Sequence, residues 1–109
     1  MHQRHIEEQA DHTLALLLAV ARKIPCMAQA MADGAFHRGQ ELSRSNRRIA
    51  GRVLGLVGFG HSAMLVARRA LGFELRVIAT RRDMAAPGID GVEMADFEAV
   101  LTRSDYTCR

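Results

Sequence analysis

The chain has 109 residues, 49% of them apolar and 25% charged, which suits one small domain with its own core and excludes a wholly disordered chain. Fifteen basic and 12 acidic residues leave a net charge of +3, too small and too dispersed to mark a nucleic-acid binder. Arg44, Arg47, Arg48 and Arg52 do cluster, but without interleaved aromatics, and they read as a solvated loop.

Cys26 and Cys108 are too far apart in sequence for a zinc knuckle or a disulfide framework, and free thiols in a reducing cytosol are expected. The five histidines show no HExxH spacing, so no metal site is expected. "LALLLAVA" (14–21) followed by "AQA" (28–30) imitates a signal peptide. Glu7, Glu8 and Asp11 precede it where a positive segment is required, Arg22 and Lys23 close the run, and it is too short to span a bilayer. A cytoplasmic protein without membrane or nucleic-acid partners is the expectation.

Residues 1–8 are polar and expected to fray. A helix is predicted from about Ala10, with Asp11 and Thr13 as candidate caps and Leu14, Leu17, Leu18 and Ala21 at helical spacing. Leu16 and Val20 fill its flanks, so it is apolar on most sides and wants burial between layers. Pro25 should interrupt it, and "CMAQAMADG" forms a second piece ending at the C-cap glycine Gly34. Residues 35–50, "AFHRGQELSRSNRRIA", are polar and aperiodic and read as a loop.

"RVLGLVGFG" (52–60) has the unbroken apolar character of a strand buried on both faces. "HSAMLVARRAL" (61–71) is helical: Met64, Ala67 and Leu71 line one side, with Ala63, Val66 and Ala70 beside them, and Arg68 and Arg69 turn to water. Gly72 ends it. "LRVIAT" (75–80) is a second strand, "RRDMAAPGID" (81–90) a turn, "GVEMA" (91–95) a short third strand, and "DFEAVLTRS" (96–104) a helix opened by Asp96. Strands alternating with helices imply a parallel sheet with right-handed crossovers. The expected division is a helical region over 1–34, a loop over 35–51 and an α/β domain over 52–109.

Within this frame, Gly58, Gly60 and Ala63 match G-x-G-x-x-G/A at the junction of a strand and a helix inside one βαβ unit. Gly58 permits the tight turn, Gly60 lets a pyrophosphate approach the backbone, and Ala63 allows close helix–strand packing. The amides at the helix start, around His61 and Ser62, are suited to binding phosphate. The acidic residue that would hold adenosine-ribose hydroxyls at the end of the next strand is replaced by Arg81, preceded by Thr80 and followed by Arg82. An arginine there attracts a 2′-phosphate, which favours NADP over NAD, while Asp83, displaced past the strand end, keeps NAD open.

From about Gln9 to Tyr106 the chain resembles the D-isomer-specific 2-hydroxyacid dehydrogenases, which include phosphoglycerate, glyoxylate/hydroxypyruvate and formate dehydrogenases. "ADHTLALLLAVARKIP" (10–25) is similar to the family's helix between substrate and cofactor domains. "LGLVGFG" and "VARRALGFELRVIATRR" are similar to its first cofactor-binding strand, the helix and the second strand. "GVEMADFEAVLTRSDY" is similar to the stretch ending just before the sheet's fourth strand. The resemblance implies a partial Rossmann (βαβ) dinucleotide-binding domain with a parallel sheet, preceded by a long interdomain helix. It implies NADP or NAD as cofactor, a 2-oxo or 2-hydroxy acid as substrate of the complete enzyme, and a homodimer using the crossing helix.

His61-Ser62-Ala63 stands where the family usually has Arg-Ile-Gly, so a phosphate-contacting arginine side chain is absent. The family's catalytic Arg and its His–Glu pair fall beyond the segment reached by Tyr106, so no catalytic residue is assigned here, and neither His12 nor His61 matches the acid/base position. The chain therefore reads as a fragment, of marginal stability or self-associating when alone. The alternative is a non-catalytic module that binds a dinucleotide or a homologous chain.

Overall fold

The computed structural model describes residues 2–86 and 88–109, with residues 2–4 described by backbone alone; Met1 and Pro87, the latter inside the expected 81–90 turn, lie outside the described residues. In chain order the elements are α1 (His2–Ala21), α2 (Ile24–Ala32), α3 (Phe36–Ser45), β1 (Val53–Val57), α4 (His61–Gly72), β2 (Arg76–Thr80), β3 (Val92–Met94), α5 (Phe97–Arg103) and β4 (Tyr106–Cys108). They form two compact units: Ile49–Arg109 with the chain up to Leu14, and Ala15–Arg48.

The larger unit is built on a parallel sheet of order β3-β2-β1-β4. Central β1 pairs Leu54 with Val77 and Leu56 with Ala79 on one side, and Leu54 with Tyr106 and Leu56 with Cys108 on the other. Leu54, Leu56, Val77, Ile78 and Ala79 are buried, together with Val66, Ala67 and Ala70 of α4 and Val100 of α5. A strand flanked on both edges and covered on both faces cannot alternate polar residues, which explains its continuous apolar run.

Alternation along β1 sends Leu54 and Leu56 to one face and Gly55 to the other. Gly55 lies under α5: a Cβ there would stand 2.9 Å from Val100 Cγ1 and would overlap Ser104 Oγ. Asp96 caps α5, its side chain accepting from Ala99 N–H at 2.7 Å. Arg103 reaches back from α5 to β3 with a forked bond to Glu93 (2.5 and 2.9 Å), and this guanidinium holds the Glu93 carboxyl below its ordinary pKa.

Three expectations are corrected. Tyr106–Cys108 is itself the fourth strand, so the sheet has four strands rather than three. Its position comes from β1: Asp105 N–H donates to Val53 O (2.8 Å) and Val53 N–H donates to the Asp105 carboxylate (2.8 Å). The first helix begins at His2 rather than near Ala10, and Asp11 and Thr13 are interior residues. Asp11 pairs with Arg69, which is therefore not simply turned to water, and the Thr13 hydroxyl donates to Gln9 O (2.9 Å). Glu7, Glu8 and Gln9 are good helix formers, and Ala10 is fully buried in the packed helix.

The third correction concerns 35–51, read as a loop, where α3 occupies Phe36–Ser45. The inward residues of this segment are Ala35, at the N-cap, Gly39 and Leu42, and with a single large apolar residue among them no apolar stripe registers. Within the smaller unit Gly39 approaches Ala30 of α2; a Cβ at Gly39 would lie 3.9 Å from that of Ala30. Between them Gly34, at φ +74°, ends α2 as expected, with Gly34 N–H bonded to Met31 O and Ala35 N–H to Ala30 O. Pro25 sits in the first turn of α2, where no helical N–H is lost, and left-handed Lys23 separates it from α1.

Gly55→Val forces a side chain into α5 and should destabilise the larger unit by about 2 kcal/mol or more. Urea unfolding followed by circular dichroism checks this; an unchanged midpoint would contradict the packing of α5 on β1.

Candidate functional site

A crevice of about 760 Å³ opens at the C-terminal ends of β1 and β4. It lies where the strand order reverses, since the chain leaves β1 for β2 on one side and β4 lies on the other. In open parallel sheets that is the ligand-binding position. Its floor is Leu56, Val57, Val66 and Cys108, one wall is the turn Gly58–Ser62 with Ala63, and the other is the face of α1 carrying His5, Gln9, His12 and Thr13.

The turn is shaped by backbone requirements. Gly58 has φ +98°, a conformation that strains any side chain, and its N–H donates to Thr80 O at 2.8 Å, tying the turn to the end of β2. Gly60 is different. Its φ is −86°, and a Cβ built there would meet no atom within 4 Å. Neither backbone strain nor packing inside the protein calls for glycine at this position.

The first amide bonded within α4 is that of Met64, to Gly60 O at 3.0 Å, and no side chain caps the helix. The amides of His61, Ser62 and Ala63 therefore have no intrahelical acceptor and sit at the positive end of the helix dipole, beside the crevice.

Thr80, Arg81 and Arg82 lie alongside, outside the crevice lining. Thr80 is buried at the end of β2. The Arg81 guanidinium stacks over Phe59, 5.5 Å from its ring centroid, and donates to Asp83 O (3.0 Å) and to Ala86 O. Asp83 accepts from Ala85 N–H at 3.1 Å, so one of its carboxylate oxygens is used in folding the same loop. Arg81 thus braces the 81–86 loop against the glycine turn, whereas the exposed Arg82 is not bonded to any described residue.

Of the residues singled out in the sequence, Gly58, Gly60, His61, Ser62 and Ala63 line this crevice, and Thr80, Arg81 and Arg82 do not. Sequence reasoning missed the α1 wall and Cys108. The signal was present: His5, Glu8, Gln9, His12 and Thr13 recur at helical spacing along the polar first half of α1. Burial pushes the Cys108 thiol above its ordinary pKa, against a smaller opposing effect of its hydrogen bond with Thr13. Among the described residues no group of three His, Cys, Asp or Glu is placed to hold a metal ion. Among the described residues no single helix is long and apolar enough to cross a membrane.

A parallel sheet with crossover helices, a glycine turn and open amides at the switch point define a Rossmann-like dinucleotide-binding domain. The model for "D-isomer specific 2-hydroxyacid dehydrogenase, NAD binding domain" matches residues 14–108. The chain belongs to this family, as the resemblance in its motifs implied. It is 36% identical over 104 residues to D-3-phosphoglycerate dehydrogenase of Mycobacterium leprae, covering 94% of this chain and 19% of that protein. It is 37% identical over 110 residues to glyoxylate reductase of Thermococcus litoralis, covering 89% of this chain and 31% of that protein. The apo structure of Rhodotorula graminis D-mandelate dehydrogenase superposes with a TM-score of 0.78 at 28% identity, covering 91% of this chain and 31% of that one. The chain thus spans less than a third of the length of these relatives.

The raised Cys108 pKa favours its neutral thiol in the folded state. That contribution to stability is present below the ordinary thiol range, near about pH 8.5, and is lost as pH rises through the raised value. At pH 8 iodoacetamide should label exposed Cys26 at least about tenfold faster than Cys108, as read by peptide mass spectrometry. Equal rates would contradict the placement of Cys108 in the crevice floor.

Proposed function

We propose that this chain is the cofactor-binding part of an NAD(P)-dependent oxidoreductase acting on 2-oxo or 2-hydroxy acids, and that its crevice holds the pyrophosphate and adenosine end of the dinucleotide. The observation that carries the reading is Gly60. Nothing in the protein requires glycine there, and the position immediately precedes the unbonded amides of α4. A ligand whose phosphate must touch that backbone supplies the requirement. The bound cofactor brings hydride-transfer chemistry. The chain's own residues orient it: Gly58 sets the turn, the amides of His61, Ser62 and Ala63 face the phosphates, and Thr80 closes the end of β2.

The cofactor we favour is NADP(H). The end of β2 presents Arg81 and Arg82 instead of a carboxylate, and Asp83 has a carboxylate oxygen engaged by Ala85. Arg81 shapes the loop through its carbonyls and Phe59, and Arg82 offers an uncommitted guanidinium to a 2′-phosphate. We further propose that two copies associate through the smaller unit, where Leu16, Val20, Ile24, Met31 and Phe36 are each more than half exposed. The two free thiols suit a cytosolic setting.

Because a Cβ at position 60 meets no protein atom, Gly60→Val should fold normally yet lose dinucleotide affinity by about tenfold or more, measured by calorimetry. Unchanged affinity would overturn the phosphate-cradle reading. Arg82→Ala should weaken NADPH by roughly 1.5–3 kcal/mol while sparing NADH. Arg81→Ala should weaken both, since it releases the loop itself. A wild-type chain that binds NADH as tightly as NADPH would refute the NADP preference.

A further inference from the structure

The amides of α4 carry no net charge, yet the cofactor's pyrophosphate brings two negative charges into the crevice. No arginine stands at the head of α4 to meet them, but histidines face the space from both walls. His5 and His12 lie two turns apart in the polar first half of α1, and His61 is the first residue of α4. All three are exposed, and His5 Nε2 is 3.2 Å from Gln9 Nε2. We infer that the imidazoles of His5, His12 and His61 form the side-chain site for the pyrophosphate, so that the chain takes up protons as it loads its cofactor; this inference rests on the dinucleotide reading above.

The surroundings support an anion-binding role. Among the described residues lining the crevice, Glu8 of α1 is the single acid, and it is already engaged in an interaction of its own. The β4 end contributes Arg109 and the Cys108 thiol, which burial keeps neutral. Arg68 of α4 lines an adjoining groove together with His61 and Ile6. β1 and its glycine turn contribute no titratable side chain to the lining.

The consequence follows from imidazole chemistry. An imidazole changes charge between about pH 5 and 8, unlike an arginine or a backbone amide. A phosphate beside an imidazole favours its charged form, so anion binding and protonation reinforce each other. Affinity is therefore greatest where imidazoles are charged and declines as pH rises out of that range.

The test uses the full chain and NAD+, which lacks a 2′-phosphate that would itself titrate in this range. Dissociation constants are measured by calorimetry from pH 5.5 to 8.5 at fixed ionic strength, with circular dichroism confirming the fold at each pH. Affinity is expected to fall about tenfold between pH 6 and pH 8, with net proton uptake detected by comparing buffers of different ionisation enthalpy. His5→Gln, His12→Gln and His61→Gln combined should bring the pH 6 affinity down to the pH 8 value. A pH-independent affinity in the wild type, or an unaltered slope in the triple variant, overturns the imidazole site while leaving the dinucleotide reading intact. Absence of both NAD+ and NADP+ binding at every pH, in a folded chain, overturns that reading and this inference with it.

Discussion

Parallel pairing of β1 with β2 on one edge and β4 on the other leaves its side chains no outlet except the two faces of the sheet. One face receives Leu54 and Leu56, and the other must admit α5, which it does by having no side chain at Gly55. β1 is then anchored at both ends. Asp105 holds its start through two hydrogen bonds with Val53, and Thr80 accepts from Gly58 just past its end. The turn that follows inherits its position from this doubly held strand, so the amides at the head of α4 are pre-placed rather than flexible.

That arrangement divides the work of the site between backbone and side chains. Amide donors make no demand on side-chain identity, so His61-Ser62-Ala63 is compatible with a backbone anion site. On the function proposed above, side chains are left to decide selectivity and conditions: the arginines beyond β2 for the adenosine end, and the histidines for charge in the crevice. Arg81 links these regions, since one guanidinium contacts both Phe59 in the turn and the carbonyls of the 81–86 loop.

Much of this was legible in the chain itself. Apolar continuity over 52–60 and 75–80, the glycine at 58, the cap at Asp96 and the stop at Gly34 each reflect a local requirement of the backbone, and each appears where expected. What was illegible depended on partners. α3 turns only Gly39 and Leu42 inward, so its helical period does not show until Ala30 is placed beside Gly39. β4 is three residues of unremarkable composition, ordered by pairing with β1. Arg81 reads as a bare cation in sequence, and only its carbonyl partners reveal it as a brace.

By itself, then, the sequence determined the succession of β1, α4, β2, β3 and α5, the glycine turn and the family, because period, glycine position and capping are local properties. Tertiary structure alone decided the fourth strand and the third helix. It also decided which face of α1 meets the crevice, and so that His5, His12 and His61 share one space. Those outcomes depend on distances between residues far apart in the chain, which no local pattern encodes.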